Sequence, residues 1–190
     1  MRLNKKKLAF LAAWTICAEG RQHPHNAIDQ LQPLVGTSAQ RLVLAEQVAL
    51  AKWDTGTQVE DTTREAQVIA SAIEAGESRA LDQKVVSNFF RAQIEANKLV
   101  QYSLLAEWRR AGKAPDHAPI NLAGKIRPEL DQVQTALIAE LAETSSVRAS
   151  VSCYTDVAKA VGNYVSAHKN SFSSLKTIAL DRAMAAACTP

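Results

Sequence analysis

Four polar side chains suited to holding anions and donating hydrogen bonds are spaced so that they can face one site. Arg41 and Lys52 lie eleven residues apart, about three turns of a helix, so both can project from one helical face. Asn97 and Gln101 are four residues apart and share a face in the same way. Burying such groups unpaired costs free energy. They therefore either pair with nearby carboxylates or line a cavity that receives a polar, anionic ligand.

Each of these pairs belongs to a longer stripe whose spacing alternates between three and four residues, as on the buried seam of a helical bundle. The first stripe comprises Leu31, Leu34, Ser38, Arg41, Ala45, Val48 and Lys52. The second comprises Phe90, Ile94, Asn97, Gln101, Leu104 and Trp108. Their apolar members predict that both helices pack into a core, which would carry the polar members into the interior.

The elements that must position these residues are predicted to be helices throughout. The chain has 190 residues, only 7 glycines and 5% aromatic residues, and long stretches lack helix breakers. This composition favours an all-α protein, a helical bundle folded as one domain. Capping residues and breakers predict six helices, at about residues 28–53, 61–78, 82–112, 122–144, 151–167 and 173–187.

Several chemistries are disfavoured by the motifs that the chain lacks. It carries no phosphate-binding loop, dinucleotide fingerprint, nucleophile elbow or metal-ligand spacing, so no cofactor and no metal is predicted. It also shows no obvious acid–base pair. An enzyme with these residues is predicted to work without a covalent intermediate or an essential proton transfer.

The first residues have the pattern of a secretory signal peptide. Basic residues precede a short apolar run, residues 8–16, which ends at Cys17 and Ala18. The run is too short for a membrane anchor, and the bulky Ile16 disfavours a lipoprotein site at Cys17. We therefore predict a signal peptide at 1–18, then a single all-α domain at 19–190, located in the periplasm or secreted. Its catalytic part is predicted at about 28–130, and its bracing helices at about 131–190.

Removal of the signal peptide changes the charge and the cysteine count. The remaining 18 basic and 19 acidic side chains give a formal net charge of −1, so no basic face for nucleic acid is predicted. Cys153 and Cys188 remain, and in an oxidising compartment an isolated pair is most simply a disulfide. It would close a loop of about 35 residues and contribute roughly 3–4 kcal/mol. The alternative is two unrelated buried thiols.

Two segments resemble the all-helical chorismate mutases. One is the run from Gln40-Arg41-Leu42 to Ala51-Lys52-Trp53, continued by Glu60-Asp61 and Arg64-Glu65. The other is residues 89–102, which read FFRAQIEANKLVQY. The signal peptide, the extra C-terminal helices and the late cysteine pair resemble the secreted γ subclass of that family. The resemblance is strongest over about residues 34–108.

This resemblance implies an activity, the conversion of chorismate to prephenate by a Claisen rearrangement that needs no cofactor. Chorismate carries two carboxylates, which suit the fork-shaped hydrogen bonding of arginine. It must be held in a compact chair-like conformer, which is catalysis by positioning. Negative charge develops on its ether oxygen as the C–O bond breaks. Donors fixed at that oxygen stabilise the transition state more than the ground state.

The family roles can be carried over residue by residue. Lys52 and Gln101 match the pair that donates to the ether oxygen. Arg41 matches a carboxylate-binding arginine, and Arg64 follows Lys52 at the family spacing, beside the substrate. Glu65 matches an acid that accepts a hydrogen bond from the ring hydroxyl in some members of the family.

Three further assignments depend more on the alignment. Asn97 falls where relatives often have serine or threonine, and is expected to contact a carboxylate. Arg127 is the candidate for the remaining arginine, with Lys125 as the fallback. Gln67 either supports the site or lies exposed on the surface.

The resemblance also implies a homodimer, without a membrane anchor once the signal is cleaved. The alternative function is a non-catalytic helical periplasmic binding protein for a small dicarboxylate. A purely structural bundle is the third interpretation.

Overall fold

The computed structural model describes residues 26–189, so the predicted signal peptide lies outside the described residues. The described residues form seven α-helices and no strand, which confirms the predicted all-α class. The helices are α1 Ala27–Thr55, α2 Thr62–Glu77, α3 Gln83–Ala111, α4 Arg127–Glu143, α5 Ser145–Arg148, α6 Cys153–Ala167 and α7 Ser174–Met184. A π-helical turn, Leu122–Ile126, leads into α4. None of the helices within residues 26–189 has the length and apolar character that crossing a bilayer requires.

The two long helices, α1 and α3, begin and end at local capping signals. The side chain of Asp82 accepts a hydrogen bond from the backbone N–H of Val85 at 3.0 Å, which satisfies one of the free donors of the first turn of α3. Gly112 ends α3 and Gly56 ends α1, with φ angles of 75° and 67°. Glycine adopts this left-handed conformation without a Cβ clash, so the chain can turn sharply at the end of each helix.

The core lies around α1 and α3, which pack against each other and against the later helices. α1 contacts α3, α4, α6 and α7, while α3 contacts α1, α2 and α7. Several apolar members of the two predicted stripes are completely buried, among them Leu31, Leu34 and Phe90. A central pair of helices covered on several sides holds its side chains in fixed positions, which is what a site on α1 and α3 requires.

The predicted helix at residues 122–144 is divided in the structure. The backbone carbonyl of Asn121 accepts from the N–H groups of both Lys125 and Ile126, at 3.0 and 3.3 Å, so the first turn is wider than an α-helical turn. Pro128 then lies in the first turn of α4, where its missing N–H costs little. The short α5 was not predicted, and α7 ends at Met184, earlier than the predicted end near residue 187.

The C-terminal helices are joined by the predicted disulfide, which is confirmed. Cys153 at the start of α6 is bonded to Cys188 after α7, with the two Cα atoms 5.8 Å apart. α6 packs on α1, and α7 packs on both α1 and α3. The bridge therefore closes the layer of helices that supports the central pair.

Candidate active site

A cavity of about 130 Å³ lies where α1, α2 and α3 meet the start of α4. It is lined mainly by charged and amide side chains, with a few aliphatic ones between them. The polar members are Arg41, Lys52, Asp61, Arg64, Glu65, Asn97, Lys98, Gln101, Arg127, Asp131 and Gln134. The aliphatic members are Val48, Val59, Val68, Ile94, Leu122 and Leu130. The polar residues that helical spacing had placed on the inner faces of α1 and α3 therefore do share one cavity.

Arg41 is the most deeply enclosed cation of the cavity, with 5% of its surface exposed. The Asn97 side-chain amide, oriented to satisfy both of its ends, accepts from Arg41 Nε at 3.1 Å and donates to the Arg41 carbonyl oxygen at 3.3 Å. Burial lowers the pKa of Arg41 to about 10, against the opposing effect of Asp131, so the guanidinium is cationic at neutral pH. Asn97 thus orients Arg41 and leaves the two terminal nitrogens of the guanidinium for other partners.

Lys52 faces the cavity from the last turn of α1. Its Nζ donates to the backbone carbonyl of Val59 at 2.8 Å, which the turn at Gly56 brings back towards α1. Burial lowers the pKa of Lys52, chiefly by desolvating the ammonium, and Arg127 lowers it further, whereas Asp61 and other carboxylates oppose the shift. The ammonium is therefore held in place by one hydrogen bond and keeps donors for a ligand.

The first turn of α2 places Arg64 and Glu65. Asp61 caps this helix, and its carboxylate accepts from the backbone N–H of Arg64 at 2.9 Å. The Arg64 guanidinium lies 3.5 Å from Asp131 of α4, in a pair whose side chains are 37% and 65% exposed. A pair this long and this exposed stabilises the fold very little. An arriving anion can therefore compete with Asp131 for Arg64.

Two buried oxygen atoms at the cavity have no hydrogen-bond partner among the described residues. They are Oε1 of Gln101 and Oε1 of Glu65. Leaving a buried polar atom unsatisfied costs roughly 1–3 kcal/mol, and such atoms cluster where a ligand completes the hydrogen bonding. Gln101 is also almost fully buried on α3, so its amide is held at the cavity by packing.

The structure distinguishes between the less certain assignments. Arg127 lines the cavity and Lys125 does not, although both residues are exposed overall. Lys125 belongs to the π-helical turn before α4, whereas Arg127 is the first residue of α4 itself. Gln67 is exposed and does not line the cavity, in keeping with the alternative of a surface position. The next residue, Val68, contributes to the wall instead, since a shift of one residue rotates a helical position by about 100°.

Four polar lining residues were not predicted as site residues, namely Asp61, Lys98, Asp131 and Gln134. Lys98 follows Asn97 directly and lies off the apolar stripe of α3, so spacing did not single it out. Asp131 and Gln134 belong to α4, and no local signal shows which face of that helix meets α1 and α2. They also show that the cavity extends past residue 130, the predicted end of the catalytic part.

The chemistry available in the cavity follows from its residue types. Five cationic side chains and three carboxylates line it, together with two primary amides from α3 and one from α4. No serine, cysteine or histidine lies among its described lining residues. Such a set can bind a small polyanion, orient it and donate hydrogen bonds to developing negative charge. Fold and site together define an all-α protein that works on a small anionic ligand by electrostatics and positioning.

Comparisons with known proteins agree with this class. Residues 26–102 match the family model of chorismate mutase type II. A secreted chorismate mutase of Mycolicibacterium smegmatis is 32% identical over 142 residues, which span 73% of this chain and 77% of that protein. A crystal structure of chorismate mutase from Burkholderia phymatum superposes with a TM-score of 0.82 at 44% identity, covering 86% of this chain and 99% of that one. The corresponding Burkholderia thailandensis structure gives a TM-score of 0.79 at 32% identity, with 84% and 99% coverage.

The chain belongs to the chorismate mutase family, and its activity is that of a chorismate mutase, an isomerase. The resemblance identified in the sequence is thereby confirmed. A non-catalytic binding protein is not favoured.

Proposed function

We propose that this cavity converts chorismate to prephenate, with the residues of α1, α2 and α3 in the roles that the family resemblance implies. The observation that carries the proposal is the convergence of Arg41, Lys52, Arg64 and Gln101, from three different helices, on one cavity. These are the residue types that a dicarboxylate with a breaking ether bond requires. The reaction is unimolecular, so the protein has to supply only positioning and electrostatic stabilisation.

The two carboxylates of the substrate are assigned to the arginines. Arg41 has its Nε engaged by Asn97, and its terminal nitrogens have no protein hydrogen bond among the described residues, which supports a bidentate contact with a carboxylate. Arg127, across the cavity at the start of α4, is assigned the other carboxylate. Arg64 lies beside the substrate, where it exchanges its long contact with Asp131 for a substrate oxygen.

The ether oxygen is assigned to Lys52 and Gln101. Both project from the inner faces of the central helices, and each has donor hydrogens that no described residue fully uses. A donor fixed at the breaking bond is stabilising mainly in the transition state, so it raises turnover. Glu65 Oε1, buried and unpartnered, is assigned to accept from the ring hydroxyl.

One assay tests this function against its alternatives. Chorismate disappearance is followed by absorbance with the purified protein, and prephenate is identified as the product. Turnover that Lys52→Ala abolishes supports the proposal. Saturable binding of chorismate without turnover would instead support a dicarboxylate-binding protein, and neither binding nor turnover would leave a structural bundle.

We also propose that the protein acts outside the cytoplasm, as a secreted or periplasmic homodimer without a membrane anchor. The relatives from Mycolicibacterium smegmatis, Mycobacterium tuberculosis and Yersinia pestis are each named secreted chorismate mutases, which supports the location. Cell fractionation with N-terminal sequencing of the exported protein tests the location and the cleavage point, expected near Ala18. Light scattering coupled to gel filtration tests the dimer, and a mass of one chain would contradict it.

A further inference from the structure

Lys98 on α3 is a largely enclosed cation with three carboxylate partners. Its side chain is 13% exposed, and its Nζ lies 2.9 Å from Glu95, 3.1 Å from Glu60 and 3.4 Å from Glu65. Glu95 belongs to the same helix, Glu60 to the loop before α2, and Glu65 to α2 itself. Lys98 therefore ties three segments of the chain together at the wall of the cavity.

The charge of Lys98 is secured by these partners. The hydrogen bond to Glu95, followed by that to Glu60, raises the pKa of Lys98 above that of a free lysine, despite the opposing effect of burial. The side chain is thus cationic at neutral pH. A charge shared among several partners in a partly buried network contributes more than an isolated surface pair.

Glu65 receives only half of its hydrogen bonding from this network. Lys98 reaches Glu65 Oε2, whereas Oε1 is buried without a partner among the described residues. Glu65 also lines the cavity. A carboxylate held by one oxygen presents the other in a defined direction, and an unsatisfied buried acceptor gains most from an incoming donor.

We propose that Lys98 is a positioning residue for the reaction, holding Glu65 through Oε2 so that Oε1 accepts a hydrogen bond from the substrate hydroxyl. This inference rests on the proposed function of the cavity. Lys98 itself need not touch the substrate, because it acts through Glu65. Lys98 also holds Glu60 in the loop before α2, by donating to its Oε1 at 3.1 Å. The Tyr102 hydroxyl donates to the other oxygen of Glu60 at 3.1 Å.

The loop held in this way contributes to the cavity directly. It contains Val59, whose carbonyl oxygen accepts from Lys52 Nζ at 2.8 Å, and it ends at Asp61, the cap of α2. Lys52 keeps its own hydrogen bond to Val59, so the catalytic effect of Lys98 is assigned to Glu65 alone. If Lys98 had a purely structural role, its loss would lower stability alone. If it positions Glu65, the effect of its loss on catalysis depends on whether Glu65 is present.

The test is a double-mutant cycle between Lys98→Met and Glu65→Ala, measured on kcat/KM and on the Kd for chorismate. Methionine keeps most of the length of the unbranched side chain and removes the ammonium with its hydrogen bonds. Each single variant is expected to lose on the order of 10-fold or more, since each disrupts a hydrogen bond to a charged group. If Lys98 acts through Glu65, the double variant matches Glu65→Ala within about twofold. Losses that multiply would overturn the proposal.

A chorismate analogue that lacks the ring hydroxyl gives a second measure that a structural role would not move. With this analogue Glu65 Oε1 has no substrate hydroxyl to accept from. Lys98→Met is therefore expected to lower kcat/KM for chorismate but to leave kcat/KM for the analogue within about twofold of the wild-type value. Equal losses on the two substrates would contradict the proposal.

Lys84→Met serves as the matched control, because Lys84 is an exposed lysine on the same helix, remote from the cavity. It is expected to retain wild-type kinetics.

Melting curves check that Lys98→Met is folded, and Lys98→Gln repeats the charge removal if it is not. The Kd measurement distinguishes failure of this proposal from failure of the proposed function. A wild-type protein that bound chorismate without turnover would refute the proposed function. The double-mutant cycle on Kd would then still measure the coupling between Lys98 and Glu65. Wild-type kinetics and binding for Lys98→Met would overturn the proposal.

Discussion

Two arginines, Arg41 in the cavity and Arg148 under the C-terminal helices, are buried to nearly the same degree but are satisfied differently. Arg148 is 2% exposed and donates to the backbone carbonyls of Ala187 and Leu141, at 2.9 and 3.0 Å. Arg41 is 5% exposed and uses only its Nε on Asn97. Burial lowers the pKa of both. The protein itself uses the terminal nitrogens of Arg148, whereas those of Arg41 are left for a ligand.

The molecule can be divided into two halves, one around α6 and α7 and one around the cavity, and they differ in how their polar groups are used. Around α6 and α7 the packing is apolar, closed by the disulfide and by main-chain hydrogen bonds such as that from Thr189 N to the Arg148 carbonyl at 2.9 Å. Around the cavity, charged groups face one another across a space. Gln93 connects the two halves, because its amide donates to Ser38 of α1 at 2.9 Å and to the Ala183 carbonyl of α7 at 3.3 Å. The terminal nitrogens of Arg148 are used by the fold, although its Nε has no partner among the described residues, whereas those of Arg41 are left ready for a ligand.

The largest expected effect is that of Lys52→Ala on catalysis. It removes a donor and a positive charge at the breaking bond, so turnover is expected to fall by on the order of 10³ or more. Helix content measured by circular dichroism should be unchanged. Steady-state kinetics on chorismate check the loss. Wild-type kinetics for this variant would break the assignment of the cavity as the active site.

Gln101→Ala is expected to reduce turnover by on the order of 10²–10³, the usual effect of deleting one transition-state donor. Gln101→Glu sharpens the assignment, because a glutamate donates to an ether oxygen only when it is protonated and repels the developing charge when ionised. Its activity should therefore shift towards acidic pH. Equal activity of this variant and the wild type at roughly pH 8, far above the pKa of an ordinary glutamate, would show that Gln101 does not face the ether oxygen.

Arg41→Ala and Arg148→Ala test the comparison directly. Arg41→Ala should lower kcat/KM by on the order of 10²-fold, since it removes a charge-assisted contact to a substrate carboxylate, while the protein stays folded. Arg148→Ala should destabilise the fold by about 2–3 kcal/mol, because two buried carbonyls lose their donor. Its kcat should be close to wild type below its melting temperature. The reverse pattern, measured by kinetics and urea unfolding, would invalidate the division into two halves.

Reduction of Cys153–Cys188 is expected to lower the free energy of unfolding by roughly 3–4 kcal/mol, in the chain-entropy model of a 35-residue loop. Turnover should change little, because the bridge lies between α6 and the segment after α7, away from the cavity. Unfolding and kinetics are measured with and without a reductant. Two free thiols in the native exported protein, detected by mass spectrometry after alkylation, would contradict the bridge.

The smallest effect concerns the alkaline side of the pH profile. Lys52 donates best as an ammonium, and burial lowers its pKa. The wild-type profile of kcat/KM should therefore be nearly flat through neutral pH and fall before the pKa of about 10.4 typical of an exposed lysine. The Gln101 amide does not titrate, so it adds no pH dependence of its own to kcat/KM. A profile that is flat beyond that value would remove Lys52 from the chemistry.

The sequence by itself determined the helices that carry the site and most of the side chains in it. Helical spacing showed that Arg41 and Lys52 share a face, as do Asn97 and Gln101, because the 3.6-residue period is a local property of the backbone. Capping signals at Asp61 and Asp82 act locally too. The disulfide was predictable because two cysteines remain once the signal peptide is excluded.

Only the tertiary structure decided which surfaces meet across the cavity. That Arg127 and not Lys125 lines the cavity depends on how the π-helical turn and α4 pack against α1 and α2. The roles of Lys98 and Asp131 depend on partners more than 30 residues away in the chain. Periodicity shows which residues share one face of a helix, but the packing of the whole bundle selects the face on another helix that lies opposite.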